Sequence, residues 1–247
     1  MLMLAIGMLF VTSAWAQKVI PVPKGSFQMP ALLDKEPRKV QAFMMDQHPV
    51  TNAEYLKFVR ENPEWRKSRV KKIFTDKNYL EYWQSDLNFG PLAKSQSPVV
   101  QVSWYAARAF CESVGKRLAT IDEWEYAAQF PFKDKSDMKT VILEWYGANT
   151  EWPLPLVMKR SPNTLGIYDL HGVIWEWVED FNSSMVTGES RSDVALDRNL
   201  FCGGGAANAA DPSDYAAFMR FAFRSSLQAK YTVRNLGFRC VQDKESR

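Results

Sequence analysis

The chain has 247 residues, 46% hydrophobic and 24% charged, with a formal net charge of +3. That is an ordinary globular balance, and no linker, repeat or low-complexity tract breaks it, so one large domain is expected. The charge is small and the densest basic run, RKSRVKK at 66–72, is short, which excludes a nucleic-acid binder as the expectation.

Residues 1–16, MLMLAIGMLFVTSAWA, form an apolar run ending in Ala14-Trp15-Ala16 before Gln17. That is a signal-peptide cleavage pattern, and the run is short for a membrane span. The expected organisation is a signal peptide at 1–16 and one domain at 17–247, periplasmic or secreted, with no membrane span after cleavage. Export gives the three cysteines a meaning: in an oxidising compartment two of Cys111, Cys202 and Cys240 should pair. The residues alone leave three choices.

KVIPVPKGSFQM (18–29) alternates and carries prolines, as an edge strand does. VQAFMMDQHPVTNAEYLKFVREN then reads as strand, turn and helix, with Thr51 as N-cap. Residues 60–98 are charged and irregular, with Trp65, Phe74, Tyr79, Tyr82 and Trp83 as pins for a long surface excursion. Ser103 caps the next helix and Gly115 ends it. Thr120 and Glu123 form a capping box that opens a further helix. Residues 131–162 read as loop, and 163–180 as strand and tight turn.

DYAAFMRFAFRSS (214–226) reads with period two as a strand. One face is Ala217, Met219, Phe221 and Phe223; the other carries Arg220 and Arg224, about 13 Å apart along it. Two guanidiniums on one face suit an extended peptide or a planar anion, unless each is locked in an internal ion pair. The mixed, aromatic order of the elements points to an α+β domain with much irregular backbone.

His48 and His171 are the only histidines, which excludes a three-histidine metal site in a monomer. No GxSxG, HExxH, CxxC, P-loop or GxGxxG occurs in its required context. Gly203-Gly204-Gly205 opens no helix. In YDLHGVIWEWVED, Asp169, Glu176, Glu179 and Asp180 surround a Gly172 turn, a set of oxygens suited to a hard cation such as calcium.

Taken together, GSFQM, DQHPVTNAEYLKFV, PVVQVSWYAARAFCESVGKRLATIDEWEYAA, PNTLGIYDLHGVIWEW, GGG and NLGFRC resemble the sulfatase-modifying-factor, or formylglycine-generating-enzyme, family. The resemblance spreads over most of residues 22–241. It implies the family's α+β fold, related to the C-type-lectin topology, loop-rich and low in regular secondary structure. Catalytic members oxidise a substrate cysteine with copper held by two thiolates. Counted back from NLGFRC, one of these positions is Ala216, and no cysteine lies between Gly203 and Ala216. A second pair of family cysteines falls at Ala128 and Phe221. Copper is therefore not expected at that site, nor formylglycine-generating oxidase activity.

The same resemblance puts Arg224 at an active-site arginine and Trp175 at a groove tryptophan, so the groove candidates are Arg224, Arg220, Trp175 and Cys202, with Met219 or Met185 as soft neighbours of the thiol. It implies a Cys111–Cys240 disulfide with Cys202 free. It also implies one structural calcium, with side-chain oxygens from Asp169 and Glu176 and backbone carbonyls from Gly172 and Ile174. The wording of the central part is similar to an exported subgroup that includes the accessory protein encoded beside copper nitrite reductase. The expected function is an accessory or maturation factor, monomeric, for a periplasmic copper or redox protein or its peptide segment. The alternative is an oxidoreductase with a rebuilt, cysteine-independent site acting on a small molecule or peptide.

Overall fold

The computed structural model describes residues 17–29, 36–148, 150–182 and 212–244. The expected signal segment, Met185, Cys202 and the glycine run at 203–205 lie outside them. Strand β1 (Val19–Val22) and β4 (Phe43–Asp46) pair antiparallel, and β8 (Cys240–Asp243) and β5 (Arg117–Leu118) complete a sheet of order β1-β4-β8-β5. β1 therefore holds the edge that its prolines require. KVIPVPKGSFQM is two strands, not one: β2 (Gly25–Phe27) leaves that sheet and pairs with β3 (Arg38–Val40). β6 (Trp175–Trp177) and β7 (Leu236–Phe238) form a short parallel pair.

Helix α1 (Asn52–Glu61) starts in a full capping box of Thr51 and Glu54. Helix α2 (Trp104–Ser113) is capped by Ser103, and Gly115 follows at φ +71°, where a side chain would be strained. Helix α3 (Ile121–Ala128) repeats the capping box with Thr120 and Glu123. All three starts are where the sequence puts them, because a cap is a local hydrogen bond that needs no tertiary partner.

Two elements differ from the sequence reading. Met138–Gly147, read as loop, is helix α4, capped by Asp137, whose side chain accepts from Thr140 N–H. Pro212–Ser225, read as a strand, is helix α5. The buried residues Ala216, Arg220, Phe221 and Arg224 recur at four-residue spacing, so the period is helical. Arg220 and Arg224 are one turn apart on one helix face, about 6 Å, and not 13 Å apart along a strand.

The core is one cluster centred on aromatic rings. Tyr55 of α1 stacks on Phe110 of α2, and Phe238 of β7 meets both rings edge-on. Asn52 joins the 78–98 excursion to α1. Its amide donates to the carbonyls of Lys94, Ser97 and Pro98, and its oxygen accepts from the Tyr82 hydroxyl and the Trp83 indole. Buried Asp46 pairs with Lys116 and accepts from Cys240 N–H. Cys111 and Cys240 form a disulfide that joins α2 to β8.

Candidate functional site

Helix α3 presents Trp124 and Glu125 to α5. Arg220 Nε and Nη2 donate to the two oxygens of Glu125 at 3.0 and 2.7 Å, and Arg224 Nη1 donates to Oε1 at 2.7 Å. Arg220 and Arg224 also lie over the Trp124 ring, 5.8 and 4.8 Å from its centre. Burial by itself would raise the Glu125 pKa, but the charges and hydrogen bonds of the two guanidiniums outweigh it and hold it near 2. Arg224 is 4% exposed, so it faces an internal carboxylate and not a partner. That corrects the groove assignment of both arginines.

The cluster carries two positive charges and one negative. Nη1 of Arg220 has no hydrogen-bond partner among the described residues. Tyr146 of α4 lies beside it, and the Tyr146 hydroxyl donates to the Ala216 carbonyl at 3.2 Å. Ala216 itself is buried.

Trp175, half-buried, packs on the same side. Its ring lies 5.1 Å from those of Trp145 and Tyr146 on α4 and 4.6 Å from Phe223 on α5. Where the sequence points to an open groove floor, the two helices lay an aromatic layer over it. A cavity of about 370 Å³ opens beside this layer, lined by Glu144, Trp145, Tyr146, Lys159, Arg160 and Asn235 among others. Met219 is half-buried on α5. Cys202 lies outside the described residues.

The carboxylates of 169–180 separate into different jobs. Glu176 accepts two hydrogen bonds from Arg239, at 2.8 and 2.7 Å, and one from the Trp124 indole at 2.8 Å. Asp169 is buried at φ +57°; its Oδ2 accepts from Met158 N–H at 2.6 Å, and its Oδ1 has no partner among the described residues. Burial raises the Asp169 pKa, and the Met158 bond and Arg239 offset this in part. Asp180 instead accepts from Ile121 N–H at 2.7 Å and caps α3. Glu179 lies 3.9 Å from Arg108.

No group of three or more His, Cys, Asp or Glu side chains that could hold a metal occurs among the described residues. A cation at this turn would need backbone carbonyls beside the side chains. The Asp169 oxygen without a partner among the described residues is a hard donor of the kind a calcium ion takes, while both Glu176 oxygens already accept from Arg239. Gly172 sits at φ +96° with Arg160 packed where its Cβ would be. His171 Nε2 donates to the Ala128 carbonyl at 3.3 Å, its Nδ1 has no partner among the described residues, and its ring meets that of Trp124 edge-on; burial and then Arg220 push its pKa down to about 3, which keeps it neutral. His48 Nδ1 contacts the Pro49 carbonyl.

Residues 11–244 match the sulfatase-modifying factor enzyme 1-like domain. The chain belongs to this family. A mouse formylglycine-generating enzyme is 28% identical over 291 residues, covering 92% of this chain and 75% of its own. A cattle protein named inactive C-alpha-formylglycine-generating enzyme 2 is 30% identical over 209 residues, with 64% and 69% covered. The chain also matches the serine/threonine-protein kinase pkn1 of Chlamydia pneumoniae at 29% identity over 153 residues, but it spans only 23% of that protein. Among solved structures, PvdO from Pseudomonas aeruginosa superposes with a TM-score of 0.54 at 18% identity, covering 92% of this chain and 95% of the other. CarF gives 0.52 at 16%, covering 93% and 99%. Both likenesses concern the sulfatase-modifying-factor fold.

The residue that sequence reasoning missed is Glu125. Its signal was available: a single acid inside the apolar stretch Trp124–Ala128, on a helix with no polar face there. Tyr146 was missed with α4 itself.

Proposed function

We propose that this chain is an exported, non-catalytic family member that assists maturation of a copper or redox enzyme. The observation that carries the reading is Ala216. Where the family resemblance puts a copper thiolate, a buried methyl group lies next to Tyr146, and a methyl offers a soft metal nothing. The adjacent guanidiniums are bound to Glu125, and Trp175 is partly covered. Similarity to a relative named as inactive supports the same reading. The apolar N-terminal run and the disulfide support export. The resemblance to an accessory protein of copper nitrite reductase supports the class of partner.

The test uses the purified, disulfide-bonded chain. Oxygen uptake and copper content are measured with thiol and phenol substrates, and a sulfatase-type cysteine peptide is followed by mass spectrometry. No formylglycine and no stoichiometric copper are expected, while loss of the chain in its host lowers the partner enzyme's activity. Conversion of the peptide with stoichiometric copper overturns the reading.

We also assign one structural calcium to Asp169 and Glu176 side-chain oxygens and the Gly172 and Ile174 carbonyls. The ion would neutralise the Asp169 carboxylate and hold the turn before β6. Calcium should raise the melting temperature, and Asp169→Ala should remove that rise. No calcium effect on the wild-type chain at millimolar concentration discards the site.

A further inference from the structure

The segment from Arg60 to Lys77 carries seven basic and three acidic side chains, a surplus of four. Another cationic stretch, Arg220 to Arg239, has five basic and no acidic side chains, but Arg220, Arg224 and Arg239 are buried in ion pairs with Glu125 and Glu176. Arg66 donates to the carbonyls of Val59 and Arg60, and Lys67 to those of Glu81 and Trp83. Bonds to carbonyls orient these cations without neutralising them. Arg66 and Arg69 flank Asp86, and that carboxylate is itself bound by Ser68. Lys71, Lys72 and Lys77 are exposed, and their ammonium groups make no hydrogen bond or ion pair with a described residue.

The segment is held firmly. Trp65 stacks on Phe58 and meets Phe74, and Asp76 is bonded by Lys230 and Thr232. Directly after Lys71 and Lys72 comes Ile73, 73% exposed, the most exposed large hydrophobic side chain among the described residues. A lone exposed aliphatic is ordinary. One set beside a fixed group of unpaired lysines combines the two attractions that hold proteins to anionic bilayers.

We infer that residues 60–77 are a docking surface for an anionic lipid bilayer, with Lys71, Lys72 and Lys77 at the headgroup phosphates and Ile73 in the headgroup layer. The surface is separate from the Trp175 region and does not rest on the accessory role.

The experiment measures co-sedimentation of the full chain with vesicles of phosphatidylcholine mixed with phosphatidylglycerol, and with vesicles of phosphatidylcholine alone. The apolar N-terminal run contributes equally to both, so the ratio reports the basic surface. Partition to the anionic vesicles should be at least ~10-fold stronger and should fall as salt is raised. Lys71→Glu/Lys72→Glu should abolish the preference with an unchanged melting temperature, since both side chains are exposed. Ile73→Asp should weaken it. Equal partition to both vesicles, or a preference that survives the double reversal, overturns the inference. Soluble polyglutamate capturing the chain as strongly as the vesicles, with Ile73→Asp without effect, also overturns it and points to an acidic protein instead.

Discussion

Glu125 is a single acid within the apolar stretch Trp124–Ala128, and two arginines one turn apart on α5 close on it. Removing its charge would leave two buried guanidiniums uncompensated. Glu125→Gln should therefore cost about 3–5 kcal/mol in urea unfolding at neutral pH, and Arg224→Ala should also lower the melting temperature. A folded, fully stable Arg224→Ala protein would contradict the interior ion pair. The carboxyl's pKa is depressed on folding, from 4.5 to about 2. Its contribution is therefore complete above 4.5 and is lost as pH falls from there toward 2, because only the unfolded chain takes up the proton in that window. The acid side of the stability curve should steepen below 4.5, and Glu125→Gln should flatten it.

Among the elements, α4 is the most weakly held by its own residues. Ile142 is its only buried side chain, and Trp145 and Tyr146 attach it to Trp175 and α5. Asp137→Ala removes its cap and should cost about 1 kcal/mol locally. Amide exchange in 138–147 should rise while the global melting temperature barely moves. Tyr146→Ala should uncover Trp175 and shift tryptophan emission to the red; no shift would mean that the aromatic layer is not closed in solution. The fates of α4 and α5 in the sequence reading have one cause. Each carries apolar residues on more than one face because each packs on the other as well as on the core, and that blurs the helical period. In α5 the alternation of Ala217, Met219, Phe221 and Phe223 even imitates a strand.

At the scale of the whole molecule, the Cys111–Cys240 bridge spans 129 residues and joins α2 to the central sheet. Closing so long a loop restricts the unfolded chain by roughly 5 kcal/mol on chain-entropy grounds. Reduction, or Cys111→Ser with Cys240→Ser, should lower the denaturant midpoint by a corresponding amount. A midpoint unchanged by reductant would show that the bridge contributes little. The neighbouring Asp46–Lys116 pair and the Asp46 bond to Cys240 N–H tie the same junction from the polar side.

The sequence by itself determined the helix starts at Thr51, Ser103 and Thr120, the edge position of the first strand, and the family, through motifs such as GKRL, YDLHG and NLGFRC. Caps and edges are legible because their hydrogen bonds or missing donors lie within a few residues of one another. It also determined that Ala216 carries no thiolate, since a side chain's chemistry needs no fold. Only the tertiary structure decided what Arg220 and Arg224 do. Whether a guanidinium meets a partner or an internal carboxylate depends on which element lies opposite, and Glu125 is 95 and 99 residues away in the chain. The same holds for Trp175: how far an aromatic side chain is open to solvent depends on whether another helix lies against it, and α4 leaves this one half-buried.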